Sequence, residues 1–186
     1  MSARMSKLAF QIVLCLCLLP VPAVRADVAS GPKEGEKTPP LPVYAITGEP
    51  KDKDVDYSAE RKDKPTVYIF VQAEHWSRPM FRYVKKLDEI IPEVSEGANP
   101  VAIWLAEKPD VAKEYLPKIS QYFTKTPLTV FTGDKSGPKD WGINLDAHAT
   151  AVVVSKGKVI VSFGYQSLNE TDAPAVRDSL RKALGK

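Results

Sequence analysis

Cysteine is nearly absent from this 186-residue sequence: Cys15 and Cys17 are the only two, and both lie in the first 26 residues. Those residues read as an export signal. Arg4 and Lys7 give a positive start, Leu8 to Leu19 is apolar except for Gln11, Pro20 and Pro22 end the run, and Val24-Arg25-Ala26 offers small residues for cleavage before Asp27. Neither cysteine follows the small residue that a lipoprotein signal requires. From Asp27 onward the chain therefore has no thiol, which excludes disulfide staples and thiol chemistry in the finished protein. That is informative in an exported chain, because export normally permits disulfides. Stability must come from a buried core, and residues 27–186 are enough for one domain.

Long hydrophobic runs and surplus charge are also missing. The apolar run of about a dozen residues falls short of the ~20 needed to span a bilayer, so no stable span is expected after cleavage. The whole chain has 26 basic and 23 acidic residues, but Arg4, Lys7 and Arg25 fall in the signal, leaving 23 of each sign. A neutral chain has no general attraction for phosphate backbones, so nucleic acid is not an expected partner. No internal repeat is visible. Residues 27–40 are polar and rich in Gly, Pro and charge, and read as a flexible linker; residues 41–186 read as the globular domain.

Within that domain, Leu41 to Ile46 reads as an edge strand, since Pro42 is tolerated there. A short strand near Val55 to Tyr57 pairs back on it. Thr66 to Gln72 and Val101 to Ala106 are continuous apolar runs of the kind buried on both faces of a sheet. Between them the spacing of Met80, Val84, Leu87 and Ile91 predicts a helix over 77–91. Pro109 opens another helix, with Val111, Tyr115, Ile119 and Tyr122 as its core stripe and a kink at Pro117. Leu128 to Phe131 is a third buried strand. Thr150 to Val154 and Val159 to Phe163 form a hairpin across Ser155 to Lys158. A last helix over 172–184 has Thr171 as N-cap and Ala173, Val176, Leu180 and Leu184 facing the core. The pattern predicts an α/β domain with a mixed sheet, its first three core strands parallel, and helices on both faces.

That order, together with two segments, resembles the thioredoxin superfamily, and most closely its extracytoplasmic thioredoxin-like and AhpC/TSA-like branch. The first segment is Val67 to Met80, where an apolar strand runs into Trp76-Ser77-Arg78-Pro79-Met80. The family has Trp-Cys-x-Pro-Cys there, so Ser77 and Met80 stand in the cysteine positions. The second is Ala149 to Val159, with Ala149 in the slot of the family's cis-proline. Leu41 to Lys64 resembles the branch's opening β-hairpin. The resemblance implies a thioredoxin-like three-layer fold with that hairpin as an N-terminal extension. It does not carry over the activity: a family nucleophile is a thiolate stabilised at a helix N-terminus, and serine has no comparable anion. A non-proline cis bond costs ~2.5–4 kcal/mol, so Ala149 is expected to be trans.

Three chemistries are then worth testing. Ser77 could act as a nucleophile with His148 and Asp146, or simply cap its helix. His75 and His148, the only histidines, could hold copper or zinc with Glu74, Asp146 and Met80. Trp76, Phe81, Tyr83 and the His148 loop could form an apolar groove for an extended peptide, with His75, Trp76, His148 and Thr150 as candidate binding residues. No resident cofactor is expected. Lys51 to Lys64 reads as a solvated hairpin, and Lys85-Lys86 with Asp88-Glu89 as the wet face of a helix. The leading expectation is an exported binding or assembly module with an envelope protein or peptide as partner. The alternatives are a metal protein or enzyme using the two histidines, and a divergent thiol-redox family member acting only with a partner's cysteines.

Overall fold

The computed structural model describes residues 27–186. The expected signal peptide over 1–26 lies outside the described residues. Among those described, no helix is long and apolar enough to cross a membrane. Seven strands form one sheet: β1 (Pro42–Ala45), β2 (Lys53–Asp56), β3 (Thr66–Gln72), β4 (Asn99–Leu105), β5 (Leu128–Phe131), β6 (Ala149–Ser155) and β7 (Lys158–Tyr165). Their order across the sheet is β2-β1-β5-β4-β3-β6-β7. The pairs β3–β4 and β4–β5 are parallel, and every other pair is antiparallel. Four α-helices accompany it: α1 (Tyr57–Arg61), α2 (Arg78–Ile90), α3 (Pro109–Ile119) and α4 (Ala173–Ala183).

The central strand β3 reads TVYIFVQ, and all seven residues are buried. Its β-branched and aromatic side chains suit a pleated surface covered on both sides. Alternation sends Val67, Ile69 and Val71 into one core with Met80, Val84 and Leu87 of α2, Leu116 of α3, and Val176 and Leu180 of α4. Tyr68 and Phe70 point the other way, into a second core with Leu41, Val43, Tyr57 and Trp141. Trp141 plugs that face: its ring lies 5.2 Å from Tyr68 and 4.9 Å from Phe70, and its Nε1–H donates to the Pro40 carbonyl at 3.0 Å. Helices thus lie on both faces but unequally, with the three long ones sharing the first core.

Five local readings are corrected. First, β1 is not an edge strand, because it lies between β2 and β5. Pro42 is still accommodated, since only Tyr44 and Ala45 pair with β5. Second, of the stripe assigned to α3 only Ile119 packs against the core. Ala112 and Leu116 are its buried residues, while Val111, Tyr115 and Tyr122 are exposed. Third, the capping residue before α4 is Asn169, which forms a capping box with Asp172 one 3-10 turn ahead of the helix. Fourth, Asp88 is not on a wet face. Its carboxylate is 2% exposed and accepts backbone N–H bonds from Thr124 (3.3 Å), Lys125 (2.8 Å) and Thr126 (2.8 Å).

Fifth, residues 27–40 are not a free linker. They run along β7, the outer strand on that side of the sheet. The Gly35 N–H donates to the Val159 carbonyl at 2.8 Å, the Val159 N–H to the Glu36 carbonyl at 2.9 Å, and the Asp27 N–H to the Gly164 carbonyl at 2.8 Å. Ser30 is buried, with its Oγ 2.6 Å from Thr150 Oγ1. A polar composition does not prevent ordering when an unpaired strand edge offers backbone partners, and covering that edge also blocks edge-to-edge association. The opposite edge, β2, carries Lys53, Asp54 and Asp56, charges that discourage pairing.

Candidate functional site

The carboxyl ends of the parallel strands converge on one rim of the sheet, the usual place for sites in such folds. There β3 passes into a 3-10 turn (Ala73–His75), then Trp76, then Ser77 at the N-cap position of α2. Pro79 sits in the first turn of α2, where no N–H is missed. Ser77 is extended and exposed, and its hydroxyl makes no capping bond. Arg78 and Pro79 are exposed as well. Met80 points inward and is 1% exposed; it holds the only sulfur atom in residues 27–186.

His148 stands opposite, just before β6. Its ring stacks on that of His75, with centroids 3.7 Å apart and planes 16° from parallel. The His75 Nε2 also lies 3.8 Å from Glu74 Oε1. Burial first, and the neighbouring His75 ring second, hold the His148 pKa below the ordinary imidazole value. Two imidazolium rings stacked this closely would repel. The neutral stack is therefore favoured above the ordinary imidazole pKa and weakens as pH falls through the lowered His148 pKa. Expected result: in a histidine proton NMR titration, His148 titrates below pH 6.5, and His75→Ala moves its midpoint upward. An unchanged midpoint in the variant would show that the stack carries no charge coupling.

Of the expected catalytic and metal residues, the structure brings His75 beside His148 and Glu74. Ser77 is not joined to His148, whose ring is engaged by His75, and Asp146 is exposed on a loop where its N–H donates to Asn144 Oδ1 at 2.9 Å. Among the described residues, no group of three His, Cys, Asp or Glu side chains is placed to hold a metal ion.

The peptide groove is also built differently from the expectation. Tyr83 is fully buried and packs on Tyr165, centroids 5.6 Å apart, so it lines no groove. Thr150 is 1% exposed with its hydroxyl on Ser30. Both backbone groups of His148 are used: its N–H donates to the Tyr165 carbonyl at 2.8 Å and its carbonyl accepts from the Gln72 N–H at 3.0 Å. Ala149 is in β6, paired to Val71 and Tyr165, and the peptide bond into it is trans; Glu49–Pro50 is the cis bond among the described residues. His148 thus has no free backbone group to offer an extended peptide.

A cleft lies beside Trp76. Its volume is about 600 Å³, and its walls include Trp76, Trp104, Val111, Ala112 and Tyr115. Trp76 packs edge-on against Trp104 with centroids 4.8 Å apart, and its Nε1–H donates to Tyr115 Oη at 2.9 Å. Phe81 backs Trp76 at 6.1 Å and rests in turn on Tyr122 and Phe123 at 5.5 and 5.2 Å. Val111 remains 60% exposed and Tyr115 36%. Gln72 also borders the cleft; it is 2% exposed, and its Oε1 has no hydrogen-bond partner. The sequence pattern assigned Val111 and Tyr115 to the core because their spacing is helical. The signal that could have separated them is Ala112 and Leu116, which offer a competing stripe one position along.

The described residues form a thioredoxin-like α/β fold. Solved structures with this architecture include the DsbF homologue from Corynebacterium diphtheriae (19% identity, TM-score 0.58, 87% of this chain and 97% of that one). They also include the exposed lipoprotein thioredoxin Etrx1 from Streptococcus pneumoniae (14%, 0.58, 77% and 99%) and reduced Prx3 from Vibrio vulnificus bound to hydrogen peroxide (14%, 0.63, 83% and 99%). No protein-family model matches the chain, and neither does any curated protein. Identities this low show a shared fold, not a shared chemistry.

Proposed function

We propose that this protein is an exported thioredoxin-fold binding or assembly module of the cell envelope that works without thiol exchange. The observation that carries this reading is the junction of β3 with α2. Ser77 and Met80 stand there where the resemblance to the thioredoxin superfamily places the redox cysteines, Ala149 stands where it places the cis-proline, and the only sulfur in residues 27–186 is a buried thioether. A thioether has no exchangeable proton and cannot form a mixed disulfide. The cleft at Trp76 supports a binding role, because it keeps apolar side chains at the surface where α3 could have presented polar ones. The signal-like first 26 residues, and the likeness to an exposed lipoprotein thioredoxin, support export.

The test is capture from the native envelope fraction by the exported protein, run beside Trp76→Ala. A partner retained by the natural protein and lost from the variant is the expected outcome. Equal capture by both would remove Trp76 from the working face. A second reading, a divergent thiol-redox family member acting only with a partner's cysteines, draws on the likeness to a thioredoxin and to reduced Prx3. It requires that the captured partner bring both thiols.

A further inference from the structure

The segment that covers β7 starts at the residue where signal cleavage is expected. The Asp27 N–H donates to the Gly164 carbonyl at 2.8 Å, and the Val28 N–H reaches the same oxygen at 3.3 Å. From there residues 29–31 tie down the loop that leads to His148. The Gly31 N–H donates to the Gly142 carbonyl at 3.1 Å, the Asn144 N–H to Ser30 Oγ at 3.0 Å, and the Asn144 side-chain amide to the Ala29 carbonyl at 3.2 Å. Asp27 is therefore the first anchor of a strap that holds both the outer strand and that loop.

Asp27 also borders a polar cavity of about 340 Å³ beyond the end of β7, with Ser167, Asn169 and Asp172 among its walls. Asp27 Oδ2 accepts from the Ser167 N–H at 3.3 Å, and Asp172 Oδ2 from the Asn169 N–H at 2.9 Å. Each bond occupies one of the two oxygens of its carboxylate. Among the described residues, no Lys, Arg or His lines this cavity, and the neighbouring Glu170 is paired with Arg82 at 3.0 Å. Burial first, and then the charges of Asp172 and Asp27, push the Tyr165 phenol above its ordinary pKa, so both carboxylates act on one region. The place holds two negative groups and no cation on its walls.

Signal cleavage supplies that cation. In the uncut chain the Asp27 nitrogen is the amide joined to Ala26, with one hydrogen and no charge. A signal peptidase adds water across this bond: the hydroxyl goes to the Ala26 carbonyl carbon and the hydrogen to the Asp27 nitrogen, which then takes up a further proton. We infer that cleavage itself sets the strap: the α-ammonium released at Asp27 sits on the Gly164 carbonyl beside the Asp27 and Asp172 carboxylates, and holds residues 27–31 and the loop to His148 more firmly than the amide does. This rests on the reading of residues 1–26 as a cleaved signal. A charge-assisted bond is roughly twice as strong as a neutral one. The α-amine of an unfolded chain has a pKa of about 7.7–8.0, and the two carboxylates favour its charged form in the folded chain. The gain is complete below that range and is lost as pH rises through the raised folded value. Asp27 is exposed, so salt screens the effect.

The test uses residues 27–186, which contain the whole sheet and both cores, made with the Asp27 α-amine either free or acetylated. At about pH 6.5 the free form should unfold roughly 2–3 °C higher in low salt, and the gap should close by about pH 10. Amide hydrogen exchange at Gly31 and Asn144 should be slower in the free form at the lower pH. Asp172→Asn lowers both forms, because it breaks the capping box, and should narrow the gap between them. Equal unfolding temperatures at pH 6.5, or a gap that persists at pH 10 and so reflects the bulk of the acetyl group, would overturn the inference. N-terminal sequencing of the native protein separates the two claims. A start at another residue would defeat the cleavage reading, whereas a start at Asp27 with equal unfolding temperatures would defeat this inference alone.

Discussion

Replacing Asp88 with Ala is expected to cost about 3–5 kcal/mol of stability, because it strips a buried acceptor from several donors at once. The Asp88 carboxylate receives N–H bonds from Thr124, Lys125 and Thr126, the Thr126 hydroxyl at 2.8 Å, and the Lys85 ammonium at 3.2 Å. Removing it leaves the Thr126 N–H and hydroxyl buried without a partner. The segment it holds joins Phe123 to β5, and Phe123 supports Phe81 behind Trp76. Loosening it should therefore unsettle the cleft as well as the fold. Urea unfolding followed by far-UV circular dichroism provides the check. At 2–4 °C per kcal/mol for a domain of this size, the midpoint of thermal unfolding should fall by roughly 10 °C. A loss under 1 kcal/mol would mean that water replaces the carboxylate and that the site is structurally minor.

Gly164→Ala is the second large effect. A Cβ placed at Gly164 would lie 2.2 Å from the Val28 carbonyl oxygen and 2.8 Å from the Ser30 Cβ. The first contact is with backbone, which cannot rotate away. Residues 27–31 would have to leave β7, giving up the Asp27 bond to Gly164 and exposing the Ser30–Thr150 pair. The expected cost is ~2–4 kcal/mol, at or above the usual range for overpacking because a segment is displaced. Limited proteolysis should show new cleavage within residues 27–40 while β3 and α2 stay protected. Cleavage unchanged from the natural protein would show that the segment does not depend on close approach at Gly164.

The sheet was readable from sequence because its strands are dense in β-branched and aromatic residues. Thr66 to Gln72 has seven buried positions and no competing pattern. The hairpin turn was equally plain: Lys156 and Gly157 both take positive φ, as a two-residue turn matching strand twist requires. Composition misled where tertiary pairing decides. Asp88 reads as a surface residue by type, and only its meeting with residues 36–38 positions along the chain buries it. The polar segment 27–40 orders against an edge that periodicity does not reveal. In α3 two apolar stripes compete, and which of them faces the sheet depends on the crossover from β4.

At the rim of the sheet the legible part was the segment Trp76 to Met80. Its serine and methionine are visible in any reading of the residues. The cleft was not legible, because it depends on Gln72, Trp104 and Tyr115 from three separate elements. The stacking of His75 on His148 was hidden for the same reason, as 73 residues separate them.

The most direct test of the account is the rate at which residues 27–186 catalyse insulin reduction by dithiothreitol, followed by turbidity against a protein-free blank. With Ser77 and Met80 at the junction of β3 and α2, the two curves should coincide. Precipitation that starts earlier in proportion to added protein would contradict the account, since it would require a working thiol pair that residues 27–186 do not contain.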